Sequence, residues 1–173
     1  TSDGLGSITA KGVVWSTSTE PTIALSTKTS NGSASSNFTS SITGLAPVTK
    51  YYVRSYATNS GGTGYGAEVS FTTLAGLAVL TTSNATSITI TSAILGGEVT
   101  NEGGAAVSEK GVVWNTLTAP TVSNNKQATG TGLGAFTTSV TTLTRNTKYY
   151  VRTYAINASG TSYGPEVTFN TLP

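Results

Sequence analysis

Thr49-Lys50-Tyr51-Tyr52-Val53-Arg54 and Thr147-Lys148-Tyr149-Tyr150-Val151-Arg152 are the same six residues set 98 positions apart. Successive side chains of a strand face opposite ways, so Tyr51, Val53, Ser55 and Ala57 share one face, and Tyr52, Arg54 and Tyr56 share the other. Upstream, Lys11-Gly12-Val13-Val14-Trp15 returns as Lys110-Gly111-Val112-Val113-Trp114, here 99 positions later. The lost residue falls after Pro21 and Pro120, where a loop tolerates a change of length. Every aromatic residue has its counterpart, from Trp15 and Trp114 through Phe38 and Phe136 to Phe71 and Phe169. Such self-similarity marks a repeat architecture.

The repeat is unequal. Thr1 aligns with Thr100, so Leu77–Val99 of the second copy has no counterpart in the first. The expected organisation is a truncated repeat over residues 1–74 and a complete one over residues 75–173. In the complete repeat, alternation and turn residues give strands near 77–82, 87–99, 107–115, 122–128, 134–141, 147–157 and 162–171. About seven short strands in about a hundred residues are the expectation for an immunoglobulin-like sandwich. The chain also reads as an excerpt of a longer array, with a segment like Leu77–Val99 expected ahead of Thr1 and another downstream of Pro173; the alternative is a different protein donating those strands by β-augmentation.

Leu45-x-Pro47-x-Thr49-x-Tyr51-x-Val53-x-Ser55-x-Ala57, followed by Asn59, Gly62 and a last strand ending Phe71-Thr72-Thr73, resembles the second half of a fibronectin type III domain. The Leu45 and Tyr51 spacing, repeated at Leu143 and Tyr149 with Arg145 in the Pro place, is similar to that family's tyrosine corner. The combination of Lys-Gly-Val-Val-Trp, Thr-Lys-Tyr-Tyr-Val-Arg and Tyr-Gly-x-Glu-Val-x-Phe resembles tandem fibronectin type III-like repeats of large secreted and cell-surface proteins of Bacteroidetes bacteria. The usual second-strand Trp of animal domains is absent around Ile94-Leu95-Gly96. The resemblance implies an all-β fold of tandem fibronectin type III/immunoglobulin-like β-sandwiches, the first lacking its first two strands. Apart from the name, a tyrosine entering a buried strand needs a partner for its hydroxyl, most simply a backbone group of the preceding arch.

Composition removes much chemistry. The chain has no Cys, Met or His among 173 residues, so there is no thiolate, disulfide or zinc knuckle, and the commonest general base is missing. Charged residues make up 9% and the net charge is +2, far from the cationic stripe that a phosphate backbone requires. Nucleic acid is therefore not an expected partner. The longest apolar run, Ala75 to Leu80, is too short to span a bilayer, and membrane insertion is not expected. Ser and Thr together form about a third of the chain beside 20 Gly, a bias toward strands and turns. Acidic residues are too dispersed for a calcium loop. Glu68 and Glu166 in the last strands, with Asp3 and Glu102 in turns, do not form the facing pair that glycoside hydrolysis needs. Neither enzymatic activity nor a cofactor is expected.

One surface is a candidate binding site. Tyr52, Arg54 and Tyr56 form an outer aromatic and cationic stripe, repeated as Tyr150, Arg152 and Tyr154, with Trp15 and Trp114 extending it from the neighbouring strand. Trp and Tyr offer stacking faces and Arg a donor fork, which suits a glycan or protein ligand. The alternative is a self-stacked surface that covers its own sheet. Glu68 is expected to pair with Lys11 or Arg54. The functional expectation is a structural or adhesive module of an extracellular bacterial surface protein, stalk or filament, whose partners are neighbouring repeats of the same polypeptide, with assembly into filaments. The alternative is a spacer or accessory carbohydrate-contacting module of a secreted polymer-degrading enzyme.

Overall fold

A computed structural model describes residues 6–173, so Asp3 lies outside the described residues. Contacts divide the chain into Thr1–Leu74 and Ala75–Pro173, called unit 1 and unit 2. Every regular element among the described residues is a β-strand.

Unit 1 contains β1 (Ala10–Ser16), β2 (Lys50–Asn59), β3 (Gly62–Tyr65) and β4 (Val69–Thr72). All belong to one antiparallel sheet, with β1, β3 and β4 pairing with β2. Residues 27–32 follow β1 through backbone bonds from Trp15 to Thr27 and from Thr29 to Val13. Among the described residues this unit has no second sheet.

Unit 2 continues with β5 (Val79–Thr82), β6 (Ala93–Asn101), β7 (Glu109–Asn115), β8 (Asn125–Gly130), β9 (Gly134–Val140), β10 (Lys148–Asn157), β11 (Gly160–Tyr163) and β12 (Val167–Asn170). One sheet runs β5-β6-β9, and the other runs β11-β10-β7-β8 with β12 also on β10. Ala93, Leu95, Val140 and Leu143 from one side meet Val112, Tyr149, Val151 and Phe169 from the other in a single buried cluster. A second cluster joins Ala78, Leu80, Val99 and Val107 to Ala155, and Phe136 packs against both. Two antiparallel sheets closing over interdigitated inner faces make unit 2 a β-sandwich.

Both tyrosine corners are present. The Tyr149 hydroxyl accepts from the Thr144 N–H at 2.9 Å, and Tyr51 accepts from Ala46 at 3.1 Å. Each ring also stacks on the last strand, Tyr149 on Phe169 at 5.6 Å and Tyr51 on Phe71 at 6.0 Å.

The strand boundaries depart from the sequence reading in three places. The strand expected near 122–128 runs Asn125–Gly130 after a turn that the Asn124 N–H closes on the Thr121 carbonyl. Residues 87–92 are a turn rather than the start of a strand: Ser87 has φ 48°, and Thr89 closes a loop with Ser92 through backbone and hydroxyl bonds. The expected strand 162–171 is broken between β11 and β12. There Gly164 donates to the Thr153 carbonyl, and a Cβ on it would lie 2.3 Å from the Thr153 hydroxyl. The chain thus presses close to β10 and leaves the regular ladder.

Candidate functional site

The register decides which residues share a face. Trp114 lies opposite Val151 and Val112 opposite Thr153, whereas Gly111 lies opposite Tyr154 and Val113 opposite Arg152. Lys110, Val112 and Trp114 therefore point inward, and Trp114 packs against the core. The placement of Trp15 and Trp114 in the outer stripe is corrected: Trp15 lies opposite Val53, on the inner-type face of unit 1. A buried lysine hid this in the sequence. Lys110, 6% exposed, donates to the Leu133 and Gly134 carbonyls and lies 5.3 Å from the Phe136 ring centre. Lys11 does the same with Ser36 and Phe38. A lysine whose donors are satisfied by carbonyls can face inward.

On the outer face the structure gathers Tyr150, Arg152 and Tyr154 in unit 2, and Tyr52, Arg54 and Tyr56 in unit 1. It adds partners the sequence did not single out. Lys148 lies 4.9 Å from the Tyr150 ring centre and Arg152 4.5 Å from that of Tyr163, while the Arg152 Nε donates to the Gly164 carbonyl at 3.2 Å. Unit 1 repeats this with Lys50 on Tyr52, and Arg54 on Tyr65. Tyr150 and Arg152 remain half-exposed.

Tyr154 and Tyr56 differ from their neighbours. Tyr154 is fully buried and Tyr56 nearly so, so neither ring offers an exposed stacking face. The Tyr154 hydroxyl donates to Glu109 Oε1 at 2.7 Å, and Lys126 reaches the same oxygen at 3.0 Å. The hydrogen bond from Tyr154, then that from Lys126, holds the Glu109 carboxyl below its usual range. Burial, reinforced by that carboxylate, pushes the Tyr154 phenol up. In unit 1, where Ala10 stands in the Glu109 place, the Tyr56 hydroxyl donates to the Thr29 carbonyl at 2.6 Å. The glycine of each Lys-Gly-Val-Val-Trp is needed because the next segment crosses closely: a Cβ on Gly111 would sit 2.1 Å from the Gln127 carbonyl oxygen, and on Gly12 2.2 Å from that of Thr29.

The loop between β7 and β8 is tied to this face. Tyr163 accepts from the Val122 N–H at 3.0 Å, and Glu166 accepts from the Thr118 hydroxyl and the Ala119 N–H. Between these ties lies the fully buried Pro120, preceded by Ala119 at φ 56°. Unit 1 has the same clamp: Tyr65 accepts from Ile23, Glu68 from Glu20, and Glu20 has φ 54° ahead of the buried Pro21. Glu68 thus caps this loop, and the expected pairing with Lys11 or Arg54 gives way to a backbone N–H. The signal was present in the repeated Tyr-Gly-x-Glu, which sets one acceptor at the end of β11 and the other in the break before β12.

No family model matches the chain, and no curated protein matches it. Among solved structures it is similar to the sensor domain of the anti-sigma factor RsgI4 of Pseudobacteroides cellulosolvens, at 18% identity over 56% of this chain and 96% of that one, with TM-score 0.41. It is also similar to the sixth fibronectin type III domain of human fibronectin type III domain containing protein 3, at 22% identity over 57% of this chain and 87% of that one, with TM-score 0.42. The FN1–FN3 domains of chicken CNTN1 match at 16% identity over 95% of this chain and 56% of that one, with TM-score 0.44. The fold class is all-β, of the fibronectin type III and immunoglobulin-like kind, and it is carried by the strand order and register described above.

Proposed function

We propose that the chain is a non-catalytic repeat module with a structural or adhesive role in an extracellular bacterial surface protein, a stalk or a filament, whose partners are neighbouring repeats of the same polypeptide. The observation that supports this reading is the duplicated outer face, on which aromatic, cationic and loop groups of each unit bind chiefly to one another. A surface whose donors and rings are engaged internally stiffens its own sheet. The low charge and the Ser/Thr-rich composition suit a surface-exposed spacer.

Single-molecule pulling on the full chain tests this. Unit 2 is expected to resist force and then unfold in one step, releasing about 300 Å of chain for its 99 residues. Extension without a resolvable unfolding step would count against a mechanical role.

A second reading, contact with a glycan or protein ligand within a secreted polymer-degrading enzyme, is favoured by the half-exposed pairs Lys148–Tyr150 and Arg152–Tyr163. Here the variant Tyr150→Ala with Arg152→Ala is the test, since both residues lie outside the core. Binding to a polysaccharide array that this variant loses, with thermal unfolding unchanged, would favour the ligand reading over the spacer.

A further inference from the structure

The outer face of β10 in unit 2 carries two cations, Lys148 and Arg152, that have no carboxylate partner among the described residues. The one ion pair found there is Lys126 with Glu109. The nearby Glu166 carboxylate is taken up by the Thr118 hydroxyl and the Ala119 N–H. Lys148 lies over the Tyr150 ring at 4.9 Å, a contact that leaves its ammonium donors free to point outward. Arg152 stacks over Tyr163 and uses only its Nε, on the Gly164 carbonyl, so both terminal nitrogens of the guanidinium keep their donors.

Between these charges stands a half-exposed ring with small polar neighbours. Asn115 lies opposite Tyr150 on β7 and Thr168 lies opposite it on β12. The side-chain oxygen of Asn115 accepts from the Thr116 N–H, which leaves its amide nitrogen as a donor. Residues 148, 150 and 152 share one face of a strand, so the two charged residues are set about 13 Å apart along it with the ring midway. Unit 1 repeats the arrangement: Lys50, Tyr52 and Arg54 follow one another on β2, with Ser16 and Ser70 opposite Tyr52.

The complement of such a face is an extended chain that offers a flat C–H surface to the ring, hydroxyls to its polar neighbours and carboxylates to the flanking cations. The planar end of a guanidinium matches a carboxylate with two parallel hydrogen bonds. A neutral glycan would leave both cations without a partner, and two cations per unit are too few for a nucleic-acid backbone, whose affinity comes from many phosphate contacts. Building on the second reading given above, we propose that this face binds a carboxylate-bearing polysaccharide, a polyuronate. One sugar ring stacks on Tyr150 while carboxylates of the same chain meet Lys148 and Arg152, and Tyr52 with Lys50 and Arg54 forms the equivalent site of unit 1.

The test uses the full 173-residue chain with polygalacturonate and alginate, each beside its methyl ester, which keeps the backbone and removes the charge. Calorimetric titration should show binding of at least one polyuronate, weakened about tenfold or more by esterification and also weakened by salt at about 0.5 M. This comparison changes no residue, so folding of the chain cannot confound it. The variant Tyr52→Ala with Tyr150→Ala keeps every charge and should also lose about tenfold, as should Arg54→Gln with Arg152→Gln, each with thermal unfolding unchanged. Equal binding of the esters overturns the polyuronate assignment and leaves the second reading standing on a neutral glycan. Binding that survives loss of both rings overturns it as well, since charge attraction alone would then account for the affinity. Binding of neither polyuronate overturns it too, and the polysaccharide array decides the second reading separately.

Discussion

Tyr149 shows how one side chain serves both packing and chain direction. Its ring lies in the core against Phe169, and its hydroxyl accepts from the Thr144 N–H. Tyr149→Phe should cost about 1–2 kcal/mol, because a half-buried N–H loses its acceptor. Tyr149→Ala should cost about 3–5 kcal/mol, as the ring is lost and a cavity remains; urea unfolding of both variants measures the difference. Tyr154 makes a pH prediction. Its folded-state phenol is raised by burial first and by Glu109 second, so its contribution is complete below the ordinary tyrosine range and is lost as pH rises above about 10. Stability should fall there by about 1.4 kcal/mol per pH unit more in the parent than in Tyr154→Phe. Equal alkaline slopes in the two proteins would show that this phenol does not titrate differently on folding. Glu109 has the opposite sign: its carboxyl is lowered, so its contribution is present above the ordinary carboxyl range and lost as pH falls below it.

At the scale of the element, the β7–β8 loop is held by two acceptors, Tyr163 at the end of β11 and Glu166 in the break before β12. Ala119 at φ 56° occupies a region that costs a side-chain-bearing residue about 1 kcal/mol, and Glu166 offsets this by taking up the Ala119 N–H. Glu166→Ala should therefore destabilise unit 2 by about 1 kcal/mol, a modest figure because the carboxylate is exposed. The amides of Ala119 and Val122 should then exchange faster while those of β10 do not. Ala119→Gly should act in the other direction, since glycine adopts positive φ without steric cost. The clamp was legible as the repeated Tyr-Gly-x-Glu, but its target was not. A hydrogen bond from the Ala119 N–H to Glu166, 47 positions later, depends on how the loop folds back, and no local pattern records that. The faces of β7 are not legible in the sequence for a related reason. Val112 and Val113 are adjacent and both fully buried, so alternation gives no polarity, and the buried Lys110 resembles a surface residue until its carbonyl partners are seen.

At the scale of the whole molecule, the two units differ in what they bury. Unit 2 has two sheets and closed clusters, so a fragment spanning Ala75–Pro173 should fold alone and unfold in one calorimetric transition with a heat-capacity change of about 1.3 kcal/mol/K. The sequence by itself determined the all-β class, the repeat and its offset, the tyrosine corners and the lack of a first-copy match for Leu77–Val99, because these follow from periodicity, turn residues and self-comparison, which are local or internal to the chain. Only the tertiary structure decided that Trp114 faces the core, that Tyr154 is buried opposite Gly111 and that Glu166 caps a distant loop. Each of these depends on which strand lies beside which and in what register, and a register shift of one residue reverses every face without changing the sequence.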